Sequence, residues 1–236
     1  MLPDLSTRIH TPEMMDDPSI DAADLEATLY DLARVNAALH GYAPSMAGIE
    51  TLAGELTRPL SVLDVGCGAG DFAAQLARRF ERLGGDLYVL GIDLSPVAVD
   101  TARKRCIAFH NLEFEQTDLF DIPARRSFDI VHAALMLHHL DDSAAIEGLR
   151  KMYELSRLGV VINDLHRHWL AYLGSRIVLP LLSRNPMIHH DGSLSVRRGF
   201  RRSELVDLVH RAGLPTPTIR WHPLFRWQMH IPRRAQ

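Results

Sequence analysis

The chain has 236 residues, of which 47% are hydrophobic and 23% are charged, and its formal net charge is −3. This composition excludes a disordered chain, which needs low hydrophobicity and high net charge, and the length fits one sizeable domain. No apolar stretch reaches the roughly 20 residues that span a bilayer. The start carries no signal-peptide pattern and two cysteines do not make a disulfide framework, so we expect a cytoplasmic protein.

Arginine is concentrated in residues 184–236, where a basic surface would suggest nucleic acid as a partner. However, the segment has no run of five basic residues and no basic patch interleaved with aromatic side chains. Proteins that bind nucleic acid through such a patch combine both features. We therefore expect no nucleic-acid partner.

Residues 1–57 predict an N-terminal cap made of an extended arm and two helices. Asp21 can cap the first helix, whose apolar residues recur every three or four positions up to Leu39. The second predicted helix runs from Ser45 to Leu56. We expect this helical extension to precede the main domain.

Residues 58–236 predict an α/β domain, because short apolar strands alternate with helices. This order is typical of a Rossmann-like, mostly parallel sheet with helices on both faces, and such sheets bind ligands at the carboxyl ends of their strands. Two further strands near 218–221 and 224–230 would make the sheet seven-stranded. The other predicted strands are 59–65, 87–92, 112–116, 128–134 and 158–162, and the predicted helices are 71–83, 95–109, 141–155 and 203–213.

Residues 164–200 interrupt this alternation. An apolar, helical stretch from Trp169 to Leu182 is followed by the turn-like sequence Asn185-Pro186 and a histidine pair. We interpret this segment as a helical lid inserted over the carboxyl edge of the sheet. Its apolar side chains would then line a substrate pocket.

Three acidic residues follow three successive predicted strands. Asp64 precedes a glycine-rich turn, Asp93 ends the second strand and Asp118 follows the third. The glycine turn also fits a dinucleotide-binding oxidoreductase, but Asp64 would repel a pyrophosphate and suits a ligand with an ammonium group. Asp93 can bind ribose hydroxyls and Asp118 an adenine amino group.

These motifs resemble those of class I S-adenosylmethionine-dependent methyltransferases of the small-molecule type. The resemblance covers residues 58–163 closely, including the fourth-strand signature that begins at Phe128. It implies S-adenosylmethionine as the cofactor, with the glycine turn around the methionine part, Asp93 on the ribose and Leu94 against the adenine. The cofactor-binding residues that we predict are Asp64, Gly66, Cys67, Gly68, Gly70, Asp93, Leu94, Asp118, Leu119 and Ala134.

Histidines are the candidate bases, because deprotonation of a phenol near neutral pH suits an imidazole. The catalytic candidates are His189, His190, His139 and His166, with His168 as a further candidate. Asp191 can orient one ring of the pair that precedes it. His138-His139 resembles a wall of the cofactor site in this family, and we expect no metal site because no established metal-binding motif accompanies the histidines.

The predicted activity is methyl transfer from S-adenosylmethionine to a hydroxyl oxygen of a lipophilic phenol, quinol or polyketide. Carbon or nitrogen remains an alternative acceptor, and an NAD(P)-binding oxidoreductase is the alternative class of enzyme. The apolar insertion favours a small lipophilic substrate. We leave a homodimer open.

Overall fold

The computed structural model describes residues 3–17, 19–54 and 59–233. Within these residues, seven strands form one sheet in which the first six in the chain run in the same direction and the last one is antiparallel to both of its neighbours. The strands are β1 (Leu60–Val65), β2 (Leu87–Asp93), β3 (Leu112–Gln116), β4 (Phe128–Ala134), β5 (Ser156–Leu165), β6 (Thr218–His222) and β7 (Arg226–Pro232). Their order across the sheet is β3-β2-β1-β4-β5-β7-β6, which confirms the predicted seven-stranded architecture.

Helices cover both faces of the sheet, because successive residues of a strand point to opposite sides. Val62 of β1 packs in one core with Phe72, whereas the adjacent Leu63 packs in a second core with Leu149 and Leu205. The helices of the described residues are α1 (Ala22–Ala38), α2 (Ala43–Ala53), α3 (Asp71–Leu83), α4 (Pro96–Arg105), α5 (Asp142–Leu155), α6 (Trp169–Leu182), α7 (Pro186–Arg198) and α8 (Arg202–Arg211).

Strand β5 is longer than the predicted 158–162. It begins at Ser156 and ends at Leu165, because its residues from Gly159 onward pair with β7 on one side while β4 pairs on the other. The predicted insertion therefore starts inside this strand. Helix α4 is shorter than predicted and ends at Arg105 rather than near Phe109.

The inserted segment contains two helices, of which the sequence predicted one. Helix α7 was missed because its histidine pair and Gly192 resemble a turn. Asn185 nevertheless caps it by accepting a 2.9 Å hydrogen bond from the amide of Met187, and Pro186 occupies its first turn.

Helix α6 has a large exposed apolar face. Among the described residues, no helix combines the length and apolar content that crossing a bilayer requires. The exposed apolar residues of α6 are Trp169, Leu170, Leu173, Ile177, Val178 and Leu181, the last of them 80% exposed.

The N-terminal segment packs directly on the sheet. Ile49 of α2 is fully buried, and a β-carbon on Gly48 would lie only 2.6 Å from Cγ1 of Val161 in β5. Further upstream, a single 3-10 turn, Met14–Asp16, lies against α7. The predicted end of the second helix at Leu56 and the predicted boundary between residues 57 and 58 lie outside the described residues.

Candidate active site

A glycine turn joins β1 to α3 at the carboxyl edge of the sheet. Gly66, Gly68 and Gly70 have φ angles of 70°, 52° and 71°, a region that favours glycine. A β-carbon on Gly66 would lie 2.9 Å from Cγ of Met136, whereas one on Gly68 would meet nothing within 4 Å. The backbone at Gly68 therefore borders open space, where a ligand can approach closely.

Asp93 holds this turn in place from the end of β2. Its Oδ2 accepts a 3.0 Å hydrogen bond from the amide of Gly68, and its Oδ1 accepts one of 2.9 Å from the amide of Ser95. Burial raises the pKa of Asp93, and the two amides oppose this effect. Each carboxylate oxygen can accept a further hydrogen bond, as a ribose would require.

Asp64 belongs to a buried chain of polar side chains that the sequence did not predict. Its Oδ1 lies 2.7 Å from Nδ1 of His132, and Nε2 of that ring lies 2.8 Å from Oγ of Ser45. The side-chain Nδ2 of Asn163 donates to the same Oγ at 2.9 Å. His132 lies within the fourth-strand signature, but its partners on β1 and α2 could not be identified from spacing.

The second oxygen of Asp64, Oδ2, is buried and has no hydrogen-bond partner. A buried carboxylate oxygen without a partner is costly, so native structures normally satisfy it with a protein group, a water molecule or a ligand. This oxygen is therefore available to a cationic group bound beside the glycine turn.

Two predicted residues of the glycine turn support its packing. The side chain of Cys67 is buried in the core on the α3 side, and its amide donates to the carbonyl of Ile92 at 3.0 Å. Burial, with the charges of Asp64 and Asp93, raises the pKa of this thiol well above its usual value. A β-carbon on Gly70 would lie 2.9 Å from Cζ of Phe114.

The predicted adenine-binding residues differ in what they offer. Leu94 is 67% exposed next to Asp93, as expected of a side chain that packs on a ligand. Oδ1 of Asp118 accepts a 3.0 Å hydrogen bond from the amide of Phe120. The side chain of Leu119 is buried in the core, so only its backbone is available to an adenine. Ala134 is the half-buried last residue of β4.

His138 and His139 follow β4, and carboxylates surround both rings. Nδ1 of His138 lies 2.7 Å from Oδ1 of Asp164, and Nδ1 of His139 lies 2.9 Å from Oδ1 of Asp16. Although burial alone would lower the pKa of His138, Asp164 and Glu13 raise it to about 9. The sequence did not predict Glu13, which lies on the N-terminal arm.

His166 and His168 form an aromatic group just beyond β5. The His166 ring centroid is 4.6 Å from that of Trp227 and 5.3 Å from that of His168. Burial, together with the positive charges of His168 and Arg167, lowers the pKa of His166 to about 4. Its Nδ1 is buried without a hydrogen-bond partner, whereas Nδ1 of His168 caps α6.

The pair His189-His190 lies inside α7. Nε2 of His189 is 2.7 Å from the carbonyl oxygen of Ser183, and Nδ1 of His190 is 2.8 Å from Oδ1 of Asp191. The Asp191 carboxylate also accepts hydrogen bonds from the amides of Met14 and Met15, at 2.9 and 3.1 Å. The four catalytic candidates are thus divided among three separate environments.

Comparison with known proteins identifies the family. Residues 62–159 match a family model described as a methyltransferase domain. The chain is 32% identical over 181 residues to a ubiquinone biosynthesis O-methyltransferase of Ralstonia nicotianae, an alignment that covers 70% of this chain and 68% of the relative.

The chain belongs to the class I S-adenosylmethionine-dependent methyltransferase family.

Other proteins are also similar to this methyltransferase. A ubiquinone biosynthesis O-methyltransferase of Acinetobacter baumannii strain AYE is 30% identical over 163 residues, and the chain spans only 62% of that relative. Among solved structures, the plantazolicin methyltransferase BpumL in complex with SAH has a TM-score of 0.67 at 16% identity, with 92% of each chain covered. A SAM dependent methyltransferase from Aquifex aeolicus has a TM-score of 0.63 at 17% identity and covers 88% of this chain and 97% of its own.

Membership of the methyltransferase family brings S-adenosylmethionine as the cofactor, and the site fits it. The partnerless oxygen of Asp64 suits the ammonium group, and the open backbone at Gly68 leaves space beside it. Asp93 retains acceptor capacity for the ribose, and exposed Leu94 can pack on the adenine. The roles of the individual residues, including Asp118, remain predictions.

Proposed function

We propose that this methyltransferase transfers the sulfonium methyl group of S-adenosylmethionine to a hydroxyl oxygen of a lipophilic small molecule. The observation that carries the cofactor half of this proposal is the buried, partnerless Oδ2 of Asp64 beside the open backbone of Gly68. A carboxylate at this point favours a ligand with a positively charged amine and disfavours a pyrophosphate. It therefore favours S-adenosylmethionine over NAD(P).

The reaction is an in-line displacement at the methyl carbon. A bond forms between the acceptor oxygen and carbon while the carbon–sulfur bond breaks, and its electron pair stays on sulfur, which yields S-adenosylhomocysteine. The hydroxyl proton leaves to a base or to solvent. Alignment and removal of water can supply roughly 7–11 kcal/mol of the barrier reduction, and a positioned base adds about 10²–10⁴-fold.

A lipophilic substrate is supported by the insertion and by the relatives. The apolar face of α6 follows directly after β5 and thus starts at the carboxyl edge of the sheet, where methyl transfer is expected. The relatives from Ralstonia and Acinetobacter carry names from ubiquinone biosynthesis. Together these observations favour a phenol or quinol with an apolar substituent over an amine or a carbon acid, which remain the alternatives.

His166 is the strongest of the four candidate bases on the geometry of the site. A pKa near 4 keeps its imidazole neutral at physiological pH, and the buried Nδ1 has no hydrogen-bond partner. Nε2 of His189 is already bonded to Ser183, and His190 is more than half exposed beside Asp191. His139 is paired with Asp16.

Calorimetry followed by a transfer assay would test the proposal. We expect S-adenosylhomocysteine to bind and NADH not to bind. Labelled S-adenosylmethionine would then be incubated with an alkylated catechol, an alkylated aniline and a 1,3-diketone of similar hydrophobicity. Label on the catechol oxygen supports the proposal, transfer only to nitrogen or carbon refutes the hydroxyl acceptor, and NADH binding without S-adenosylhomocysteine binding refutes the cofactor.

Alanine variants of His139, His166, His189 and His190, assayed with one accepted substrate across pH, would identify the base. We expect the variant of the base to keep its affinity for S-adenosylhomocysteine and to lose about 10²-fold or more in turnover. If every variant keeps its turnover and pH profile, no histidine acts as the base.

A further inference from the structure

Three potential metal ligands meet beside the end of β4. They are Glu13, His138 and His139, each of which offers one ligand atom within 4.8 Å of the other two. Glu13 Oε1 is 3.5 Å from Nε2 of His138, and Glu13 Oε2 is 3.9 Å from Nε2 of His139. Ligands at about 2.0–2.1 Å from a tetrahedral ion lie about 3.3 Å apart, so only a small contraction is needed.

The Nε2 atom of His138 provides a second, independent observation. It is buried and has no hydrogen-bond partner, and the His138 side chain is only 2% exposed. The Glu13 carboxylate faces it at 3.5 Å without forming a hydrogen bond. An imidazole nitrogen left without a partner in the interior, and directed at a carboxylate and a second imidazole, is what a metal site requires.

The opposite nitrogen of each ring is held by a carboxylate. Asp164 orients His138 through Nδ1, and Asp16 orients His139 in the same way. Histidine ligands of metal ions almost always donate their other ring N–H to a carboxylate, a carbonyl or a water molecule, which fixes the ring and makes it a better ligand. Both histidines have this support before any metal binds.

The charge around the cluster also favours a cation. Four carboxylates lie on or next to the cluster. Three of them face the two imidazole rings, namely Glu13, Asp16 and Asp164. The fourth, Asp191, binds the backbone of the 3-10 turn. Two guanidinium groups oppose them. Arg198 is 3.0 Å from Asp16, and Arg8 donates to the carbonyl of Leu140. The four carboxylates thus exceed the two guanidinium groups by two negative charges, which a divalent ion would balance once it replaces the proton on His138.

We propose that Glu13, His138 and His139 bind a divalent transition-metal ion, and that this ion binds the acceptor oxygen of the substrate. Two imidazoles and one carboxylate suit Zn²⁺ or a neighbouring first-row ion and leave a coordination position open. The His139 side chain is 25% exposed, so the site is accessible from one side.

The second half of this inference rests on the proposed function. A hydroxyl bound to the ion loses its proton to solvent or to a nearby base more readily, and the resulting oxygen anion attacks the methyl carbon. The ion undergoes no change of oxidation state. In this arrangement His139 is a metal ligand and not the base, and a substrate with two adjacent oxygens could occupy two coordination positions.

This inference departs from the sequence-based expectation of no metal site. The two histidines are adjacent, but the carboxylate comes from the N-terminal arm, which reaches the cluster because Asp191 binds the amides of Met14 and Met15. Nothing in the spacing of the sequence indicates this approach.

Metal binding to the chelator-treated full chain would test the proposal. Zn²⁺ would be titrated by calorimetry, and Co²⁺ would be added to look for the visible absorption of a tetrahedral or five-coordinate site. We expect one equivalent to bind, with affinity lowered about 100-fold or more in His139→Ala and in Glu13→Gln. Asp16→Asn, which removes the charge that supports His139 and pairs with Arg198, should lose about 10–100-fold.

His110→Ala, which removes an exposed histidine far along the chain from the cluster, is the matched control and should bind Zn²⁺ normally. Circular dichroism would establish that each variant is folded. Unchanged Zn²⁺ affinity in the folded Glu13→Gln and His139→Ala variants, or no Zn²⁺ binding by the wild type, would overturn the metal site and leave a buried cluster of ion pairs.

The affinity for S-adenosylhomocysteine separates this inference from the proposed function. We expect it to stay the same in Glu13→Gln and Asp16→Asn, whose side chains belong to the N-terminal arm. Methyl transfer that is lost on chelation and restored by Zn²⁺ or Co²⁺ supports a metal-bound acceptor, whereas transfer that is indifferent to chelation refutes that half of the inference while leaving the methyltransferase assignment intact.

Discussion

Asp64 and His132 form a buried pair across β1 and β4, with Oδ1 2.7 Å from Nδ1, and the pairing leaves Oδ2 of Asp64 without a partner. The imidazole thus fixes the orientation of the carboxylate and leaves its second oxygen free to accept a hydrogen bond. If Asp64 binds the ammonium group as proposed, His132 would position it without contacting the cofactor itself.

Replacing Asp64 with asparagine should weaken the binding of S-adenosylhomocysteine about 10–100-fold, since hydrogen bonds to charged groups contribute about 1.5–3 kcal/mol. The substitution preserves shape, so the fold should persist. Calorimetry would measure the change, and Asp100→Asn on the exposed surface of α4 is the control. Equal affinities in the two variants would contradict the role of Asp64.

Replacing Asp93 with alanine should cost about 2–4 kcal/mol of cofactor binding, because the ribose loses a charged acceptor in a largely buried site. The amide of Gly68 loses its partner as well. Asp93→Asn keeps an acceptor oxygen and should lose less. The control variant Asp207→Ala, on the exposed side of α8, should bind S-adenosylhomocysteine as the wild type does. Wild-type affinity in Asp93→Ala as well would contradict a role for Asp93 in cofactor binding.

Two glycines of the insertion should respond oppositely to alanine. A β-carbon on Gly192 of α7 would lie 2.0 Å from Cδ1 of Leu179 in α6, whereas one on Gly174 would meet nothing within 4 Å. Gly174→Ala should therefore stabilise the protein by about 0.5–1 kcal/mol, the usual gain inside a helix. Gly192→Ala should show no such gain, because the buried side chain of Leu179 must shift to make room. Thermal unfolding would compare the stabilities of the two variants. An equal increase in stability in both would indicate that α6 and α7 are not closely packed at Gly192.

The stability of the protein should depend on pH through His166. Its pKa is lowered to about 4 in the folded chain, chiefly by burial, so between pH 6.5 and 4 the unfolded chain binds more protons. The contribution of His166 to the free energy of unfolding therefore falls as the pH falls through this window. Urea unfolding of His166→Gln should show a smaller loss than the wild type between pH 6.5 and 4.5. If the free energy of unfolding falls equally with pH in the variant and in the wild type, the lowered pKa of His166 is contradicted.

Arg167 should be sensitive even to lysine. Its buried guanidinium donates to both oxygens of Glu204 and to the carbonyls of Leu5 and Gly199, so it links the arm to the insertion. An ammonium group cannot make this set of bonds, and Arg167→Lys should destabilise the fold by about 2–4 kcal/mol. Arg202→Lys, on the exposed start of α8, should change it by less than about 0.5 kcal/mol. Chemical denaturation would measure the stability of both variants. Similar denaturation midpoints for Arg167→Lys and Arg202→Lys would contradict the role of Arg167 in linking the arm to the insertion.

The sequence predicted the parallel half of the sheet well, because the strands from Leu60 to Ala134 are apolar runs separated by clear helix caps. It predicted the end of β5 poorly, since Asn163 and Asp164 are polar and read as a loop. They are nevertheless in the sheet, because β7 supplies the hydrogen-bond partners of this stretch. A strand that depends on a distant partner has little local signal.

The sequence could place residues by their position on a strand, but it could not place those that depend on a partner distant in the chain. Asp64 and Asp93 could be located because carboxyl ends of parallel strands share one edge. The contacts of His132 with Ser45, and of Glu13 with the histidine pair, join residues far apart in the chain. Local periodicity carries no information about such contacts, and only the folded arrangement reveals them.

The position of β7 between β5 and β6 has a consequence during synthesis. Strands β1 to β5 leave the ribosome first, and until residues 226–232 follow, the long edge of β5 has no partner on that side. An unpaired apolar edge is a template for aggregation. The nascent chain therefore passes through a vulnerable interval of sixty residues, from 166 to 225, and slow translation in that interval should increase its dependence on chaperones.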